Sequence, residues 1–175
     1  MVTGLDALLG DPGAFLRQLA GAMARAGLPA DLGPMDHLCY RARDKADYLR
    51  LRAALAEHGE PLVEGMIGGR PILTLALHRP LSGPFGPVPC LELAAPKPGR
   101  VHHHGLEHGE IVVPDLAALQ ARYPGVSFDT GGLPHELTLP LPPWQVKFHC
   151  TSLADTIARE RAQGLVVPVP ADYFG

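Results

Sequence analysis

Four side chains able to bind a divalent cation stand in this sequence where apolar residues would be the ordinary choice: His37, Glu92, His108 and His149. Glu92 lies inside Pro89-Cys90-Leu91-Glu92-Leu93 and His149 inside Val146-Lys147-Phe148-His149-Cys150, both patterned as half-buried strands. A carboxylate or imidazole in such a place needs a partner to offset its desolvation. One metal ion would serve all four: zinc, iron, manganese and nickel accept imidazole nitrogens and carboxylate oxygens, and a working site leaves positions open for water or substrate. Taken singly, each residue has a plainer reading. His37 follows an acid and fits a hydrogen-bonded core, Glu92 fits an ion pair with Arg41, Arg70 or Lys147, and His149, near Lys147, fits a polar edge.

A repeat joins the four. Asp36-His37-Leu38 opens one half of the chain, and Glu107-His108-Gly109 opens the other 71 positions later (37 to 108). Each half then closes on a strand carrying a ligand type, Glu92 or His149. Rigid strands send alternate side chains to one face, so two related sheets folded together would aim all four into one cleft.

Rival motifs fail. His108-Gly109-Glu110 has the H-x-E form of zinc deaminases, but the P-C-x-x-C partner is absent. His102, His104, His108 and Glu110 loosely match a cupin cluster, which the capped helices between strands oppose. The run His102-His103-His104 reads as a solvated loop or a peripheral metal scavenger. No H-E-x-x-H, phosphate-binding loop, nucleophile elbow or dinucleotide fingerprint occurs.

The elements that must position these residues follow from capping and periodicity. Asp11-Pro12 starts a helix that buries Phe15, Leu16, Leu19 and Met23 and closes at Gly27. A strand is expected over 35–42, a helix capped by Asp44 and ending at Gly59, and strands over 61–66, 71–77 and 88–94, with Gly68-Gly69 as a hairpin turn. After the stiff stretch Pro96-Lys97-Pro98-Gly99 the pattern restarts. A strand over 107–113, a helix capped by Asp115, strands over 126–128 and 136–139 around Gly131-Gly132, and a last strand over 144–150 are expected. Thr151 and Ser152 are candidate caps of a closing helix, and the tail from Val167 reads as loosely held. The chain thus divides into a helical segment over 1–34, a module over 35–95, a second over 105–150 and a helix with tail over 151–175, all in one globular domain.

Composition narrows the class of ligand. A length of 175 residues buries a core without disulfides, and Lys plus Arg (15) nearly balance Asp plus Glu (18), so no footprint for nucleic acid or anionic lipid exists. A small molecule is the expected partner. No apolar run approaches the roughly 20 residues of a membrane span, and residues 1–10 lack an export pattern, so the expected compartment is the cytoplasm. Cys39, Cys90 and Cys150 form neither a disulfide framework nor a zinc cluster and are expected as buried, inert thiols.

Five segments carry a resemblance to a known family. Asp36-His37-Leu38-Cys39-Tyr40-Arg41, Gly68-Gly69-Arg70-Pro71-Ile72, Leu91-Glu92-Leu93, Gly105-Leu106-Glu107-His108-Gly109-Glu110 and Val146-Lys147-Phe148-His149 resemble, in order, successive motifs of the YecM-type family of the vicinal-oxygen-chelate superfamily. The resemblance implies an α+β fold, two paired βαβββ modules forming a curved mixed sheet around a central cleft. It also implies one divalent metal held by the first and last strands of each module, here His37, Glu92, His108 and His149. Most metal-dependent members carry glutamate where this chain has His149.

Such a site would let an oxygen-rich substrate chelate the ion through two adjacent oxygens, with Glu92 or Glu110 as the base and Arg41 and Arg70 holding a substrate carboxylate. Isomerase or lyase chemistry through an enolate fits, and iron would instead support oxygen-dependent cleavage. The alternative is a non-catalytic module that binds or sequesters a small molecule in the same cleft.

Overall fold

The structure, a computed structural model, describes residues 4–130 and 135–175. Its centre is one antiparallel pair, β1 (Met35–Arg41) against β5 (Gly105–Val112), in which Leu38 faces Gly109. On either side of that pairing the ladder repeats itself. His37 faces Glu110 as His108 faces Cys39, and Met35 faces Ile111 as Leu106 faces Tyr40. A shift of 71 residues with exchange of strands maps each pair onto the other, so a local two-fold axis passes beside Leu38 and Gly109. A Cβ at Gly109 would stand 2.7 Å from Met35 Cε, which explains glycine at this crowded point.

The halves grow outward from the axis. Beyond β1 come β4 (Val88–Ala94, parallel to β1), β3 (Arg70–Leu81) and β2 (Gly59–Ile67); beyond β5 come β7 (Trp144–His149, parallel to β5) and β6 (Leu137–Leu141). The seven-stranded mixed sheet therefore runs β2-β3-β4-β1-β5-β7-β6. Gly68 and Gly69, both at positive φ, close the β2–β3 hairpin as their sequence requires. In the second half residues 126–128 form no strand; a single isolated bridge between Asp129 and Thr138 follows them. Gly131 and Gly132 lie outside the described residues.

Helices cover one face. α2 (Pro12–Arg25) starts where Asp11 accepts the Ala14 N–H at 2.9 Å, and it buries Phe15, Leu16, Leu19 and Met23. α3 (Lys45–Leu55) is capped by Asp44 and buries Tyr48, Leu51 and Leu55. These side chains share one core with Leu38, Leu73, Leu75, Leu91 and Leu93 of the sheet, each worth about 1.5–3 kcal/mol when fully buried. The alternate residues of β1, β3 and β4 face away from that core, where Cys39, Ile72 and Ala94 form a separate small cluster. The site lies on this second face. α1 (Gly4–Leu9), unforeseen in the sequence, adds Leu5 and Leu9 to the main core. α4 (Leu116–Arg122) is capped by Asp115 and α5 (Leu153–Ala162) by Ser152.

Two expectations are corrected. The tail is docked: Met66 donates its N–H to the Val167 carbonyl at 2.8 Å, Lys45 Nζ donates to the Tyr173 carbonyl at 2.7 Å, and Phe174 stacks on Tyr48. It covers the outer edge of β2, which would otherwise present unpaired backbone groups. Cys39 and Cys90 are buried as expected, but Cys150 is exposed because it stands one residue past the end of β7. Among the described residues no helix is long and apolar enough to cross a membrane.

Candidate metal centre

Each histidine at the centre of the sheet is preceded by the acid that aims it. His37 Nδ1 hydrogen-bonds Asp36 Oδ2 at 3.0 Å, and His108 Nδ1 hydrogen-bonds Glu107 Oε2. With Nδ1 engaged, Nε2 is the atom each ring offers to the cleft. The acids are themselves held: Leu153 at the start of α5 donates its N–H to Asp36 Oδ2 at 2.7 Å, and Gln145 Nε2 donates to Glu107 Oε1 at 2.8 Å.

Glu92 joins them from β4. It lies beside Cys39 in the β1–β4 ladder, and its Oε2 stands 3.6 Å from His37 Nε2. One ligand atom from each of His37, Glu92 and His108 lies within 4.8 Å of the other two. Three separate strands thus deliver two imidazoles and a carboxylate to one point, a set that suits iron, manganese or zinc and leaves positions open. His37 is 1% exposed, and its Nε2 has no hydrogen-bond partner among the described residues. A buried nitrogen that makes no hydrogen bond, with the Glu110 and Glu92 carboxylates at 3.1 and 3.6 Å, is a place that a divalent cation fits.

His149 is placed differently from the expectation. Its Nε2 belongs with Glu110 and Glu136 in an adjoining group, not with the three residues above. Glu110 connects the groups: its Oε2 is 3.1 Å from both His37 Nε2 and His149 Nε2, and its Oε1 is 3.6 Å from His108 Nε2. Neither His37 Nε2 nor His149 Nε2 meets hydrogen-bond geometry with it. Register explains the placement. In the β5–β7 ladder the residue beside Glu110 is Lys147, as Glu92 is beside Cys39 in the first half, so the counterpart of Glu92 is Lys147 and His149 stands two residues beyond. Lys147 Nζ is turned to Glu136 at 3.0 Å.

The electrostatics are those of a tightly paired cluster. Burial works against charge on His37, yet Glu92 and Glu110 hold its pKa well above the ordinary histidine value. Burial likewise opposes charge on His108 and His149; the Glu107 hydrogen bond and the nearby Glu110 carboxylate for the first, and the Glu110 carboxylate for the second, raise both. Glu110 is held well below the usual carboxylate range by the surrounding imidazoles, against its own burial. Glu107, despite burial, is brought to about 2 by His108, Arg41 and Lys147. An ionised carboxylate ringed by histidines is a ready competitor or companion for a cation.

Arg41 and Arg70 lie at the far end of the same face. Arg41 ends β1 and reaches Glu107 at 3.8 Å; Arg70 opens β3 and donates to the Ile67 carbonyl at 3.1 Å. At the opposite end, a cavity of about 990 Å³ is lined by Asp115, Glu136, His149, Thr151 and Arg159 among others. The residues not foreseen as part of the site are Glu107, Gln145, Glu136 and Lys147. The acid directly before each histidine was the legible signal for the first.

A seven-stranded mixed sheet built as two halves about a local axis, with helices on one face, defines the class as a paired-module α+β protein. The profile of the YecM protein family matches residues 4–129, and the chain belongs to that family. It is 33% identical over 168 residues to Protein YecM of Escherichia coli (strain K12), covering 85% of this chain and 89% of that protein. The solved structure of Protein EC4020 superposes with a TM-score of 0.76 at 31% identity, over 91% of this chain and 94% of that one. A methylmalonyl-CoA epimerase of Streptomyces coelicolor, solved with 2-nitronate-propionyl-CoA, gives a TM-score of 0.47 at 19% identity, over 71% of this chain and 97% of that one.

Proposed function

We propose that this protein is a divalent-metal-dependent enzyme that binds a small oxygen-rich substrate by bidentate chelation and promotes an isomerase- or lyase-type proton transfer. The observation that carries the reading is the convergence of His37, Glu92 and His108 from three strands on one point, with a buried His37 Nε2 that makes no hydrogen bond among the described residues. A bound divalent ion would supply Lewis acidity, stabilising negative charge on two adjacent substrate oxygens. Asp36 and Glu107 fix the imidazole tautomers in advance. Glu110, 3.1 Å from His149 Nε2, is the candidate base, and His149 takes its part in the site through that contact. Arg41 and Arg70 hold the charged end of the substrate. If iron is the resident metal, oxygen-dependent cleavage becomes the competing reaction.

The test is elemental analysis of the purified protein after supplementation with zinc, manganese and iron. One metal per chain, abolished by His37→Ala and by Glu92→Ala, is the expected result. A second reading has its own observation: Glu110 already lies within 3.1–3.6 Å of all three imidazoles, so the cluster can stand without a cation as the floor of a non-catalytic binding site. A wild-type protein that refuses all three metals decides for that reading.

A further inference from the structure

Four strand ends meet at the rim beyond the metal centre. Arg41, the last residue of β1, is flanked by Ala94 at the end of β4 and Gly105 at the start of β5; Ile72, two residues into β3, faces Ala94 from the other side. The segment 95–104 leaves β4 at this rim and returns into β5, carrying Lys97, Arg100 and His102 close enough for their charges and those of the two arginines to act on one another. The crowding is direct: a Cβ on Gly68 would meet Arg70 Nη1 at 2.8 Å and Lys97 Nζ at 3.8 Å.

Three nitrogens in this group are shielded from solvent and have no hydrogen-bond partner among the described residues: Arg41 Nε, Arg70 Nε and His102 Nε2. Arg70 is 9% exposed. Four permanent cations, Arg41, Arg70, Lys97 and Arg100, face two carboxylates. Glu107 is already bound to His108 and Gln145, and Glu92 belongs to the metal group. The like charges act on one another. Burial, then Arg41, lowers the pKa of Arg70; Arg70 first, then burial, lowers Lys97; burial, then Arg41 and Lys97, lowers His102. Repulsion on this scale with orphaned donors is a cost that a bound anion removes.

We propose that Arg41, Arg70, Lys97 and His102 form a subsite for a phosphate or phosphonate group, so that the substrate is a phospho- or phosphono-oxyacid whose other end reaches the metal centre. The inference rests on the proposed function only for what happens at that other end. A monocarboxylate would leave most of the excess positive charge uncompensated. A phospho group brings close to two negative charges and several acceptor oxygens, and guanidinium forks suit it.

The test uses inorganic phosphate and methylphosphonate, with acetate at matched ionic strength as the monoanion, titrated calorimetrically into full-length protein freed of metal with EDTA. Saturable one-site binding of both phosphorus anions, none of acetate, and a loss of about tenfold in affinity in Lys97→Gln are expected. Arg70→Gln is expected to do the same; because Arg70 is buried, Lys97 on the half-exposed loop is the variant that keeps the test clear of folding. Absence of phosphate binding, acetate binding of equal strength, or indifference to Lys97→Gln overturns the subsite. Phosphate binding in a protein that takes up no metal supports the subsite and ends the metal-centre reading. Stoichiometric metal without phosphate binding does the reverse.

Discussion

Glu92 and Lys147 hold equivalent places in the two halves of the sheet: one lies beside Cys39 and the other beside Glu110, and Cys39 and Glu110 exchange across the central axis. A symmetric centre would have carried two carboxylates there. This chain replaces one with an ammonium paired to Glu136, so the two places carry opposite charge. The two positions are therefore expected to respond in opposite ways. Glu92→Gln should weaken metal binding by more than the about 10- to 100-fold typical of losing a group that only supports a ligand, whereas Lys147→Gln should leave one metal per chain. Competition with a chromophoric chelator measures both, and loss of the metal in Lys147→Gln would contradict the assignment.

Asp36 and Glu107 should each matter without touching the metal. Asp36→Asn and Glu107→Gln weaken the hydrogen bonds that fix His37 and His108, and a fall of about 10- to 100-fold in metal affinity is expected from each. Asp36 also accepts the Leu153 N–H, so its variant should lose about 1–3 kcal/mol of stability, in urea melts of the metal-free protein, through loosening of α5. An Asp36→Asn protein with wild-type metal affinity and a weakened fold would reduce Asp36 to a capping role alone.

The elements around this cluster are legible in the sequence, and the reasons are local. Asp11, Asp44, Asp115 and Ser152 announce helix starts because a side-chain oxygen three residues ahead of an N–H is sufficient to cap it, and all four do so. The acid–histidine pairs at 36–37 and 107–108 carried the repeat. The place of His149 was not legible, because Lys147 and His149 are two residues apart and share a face, so matching the last strands by ligand type slips by one full period without disturbing the alternation. The helix at Gly4–Leu9 is too short to declare itself and depends on burying Leu5 and Leu9. The strand expected over 126–128 has the right composition, but among the described residues the nearest pairing is the isolated bridge of Asp129 with Thr138, just beyond it.

The cluster also sets a pH dependence for the metal-free protein. His37, His108 and His149 have raised pKa values when folded, so the stability they contribute is full below their unfolded value of about 6.5 and is lost as pH rises through the folded values. Glu107 and Glu110 have lowered values, so their contribution is full above about 4.3 and is lost as pH falls toward the folded values, about 2 for Glu107. With EDTA present, the melting temperature should peak between about 4.5 and 6.5. Bound metal requires unprotonated Nε2 atoms, so its stabilising effect should grow above that range and shift the maximum upward. Melting curves with EDTA that keep rising beyond neutral pH would show that the carboxylate–imidazole pairing is not what the apo cluster relies on.

The tail offers a prediction independent of any ligand. Tyr48 is buried under Phe174 and donates its hydroxyl to Glu64 Oε2 at 2.8 Å, while Arg52 meets Glu64 Oε1 at 3.1 Å. Tyr48→Phe leaves the stacked ring in place and removes one charge-assisted bond, for an expected loss of about 1.5–3 kcal/mol in urea unfolding. Deleting residues 167–175 acts elsewhere: it removes the Val167 carbonyl from Met66 and uncovers the β2 edge around Gly65, where the tail backbone now comes within 3.0 Å of a Cβ position. An uncovered edge of this kind invites pairing with a second copy, so the truncated chain should self-associate in concentration-dependent light scattering while the full-length chain, under the same conditions, does not change with concentration. If truncation costs stability but leaves the scattering unchanged, the tail serves as packing for Tyr48 and not as a guard for the strand.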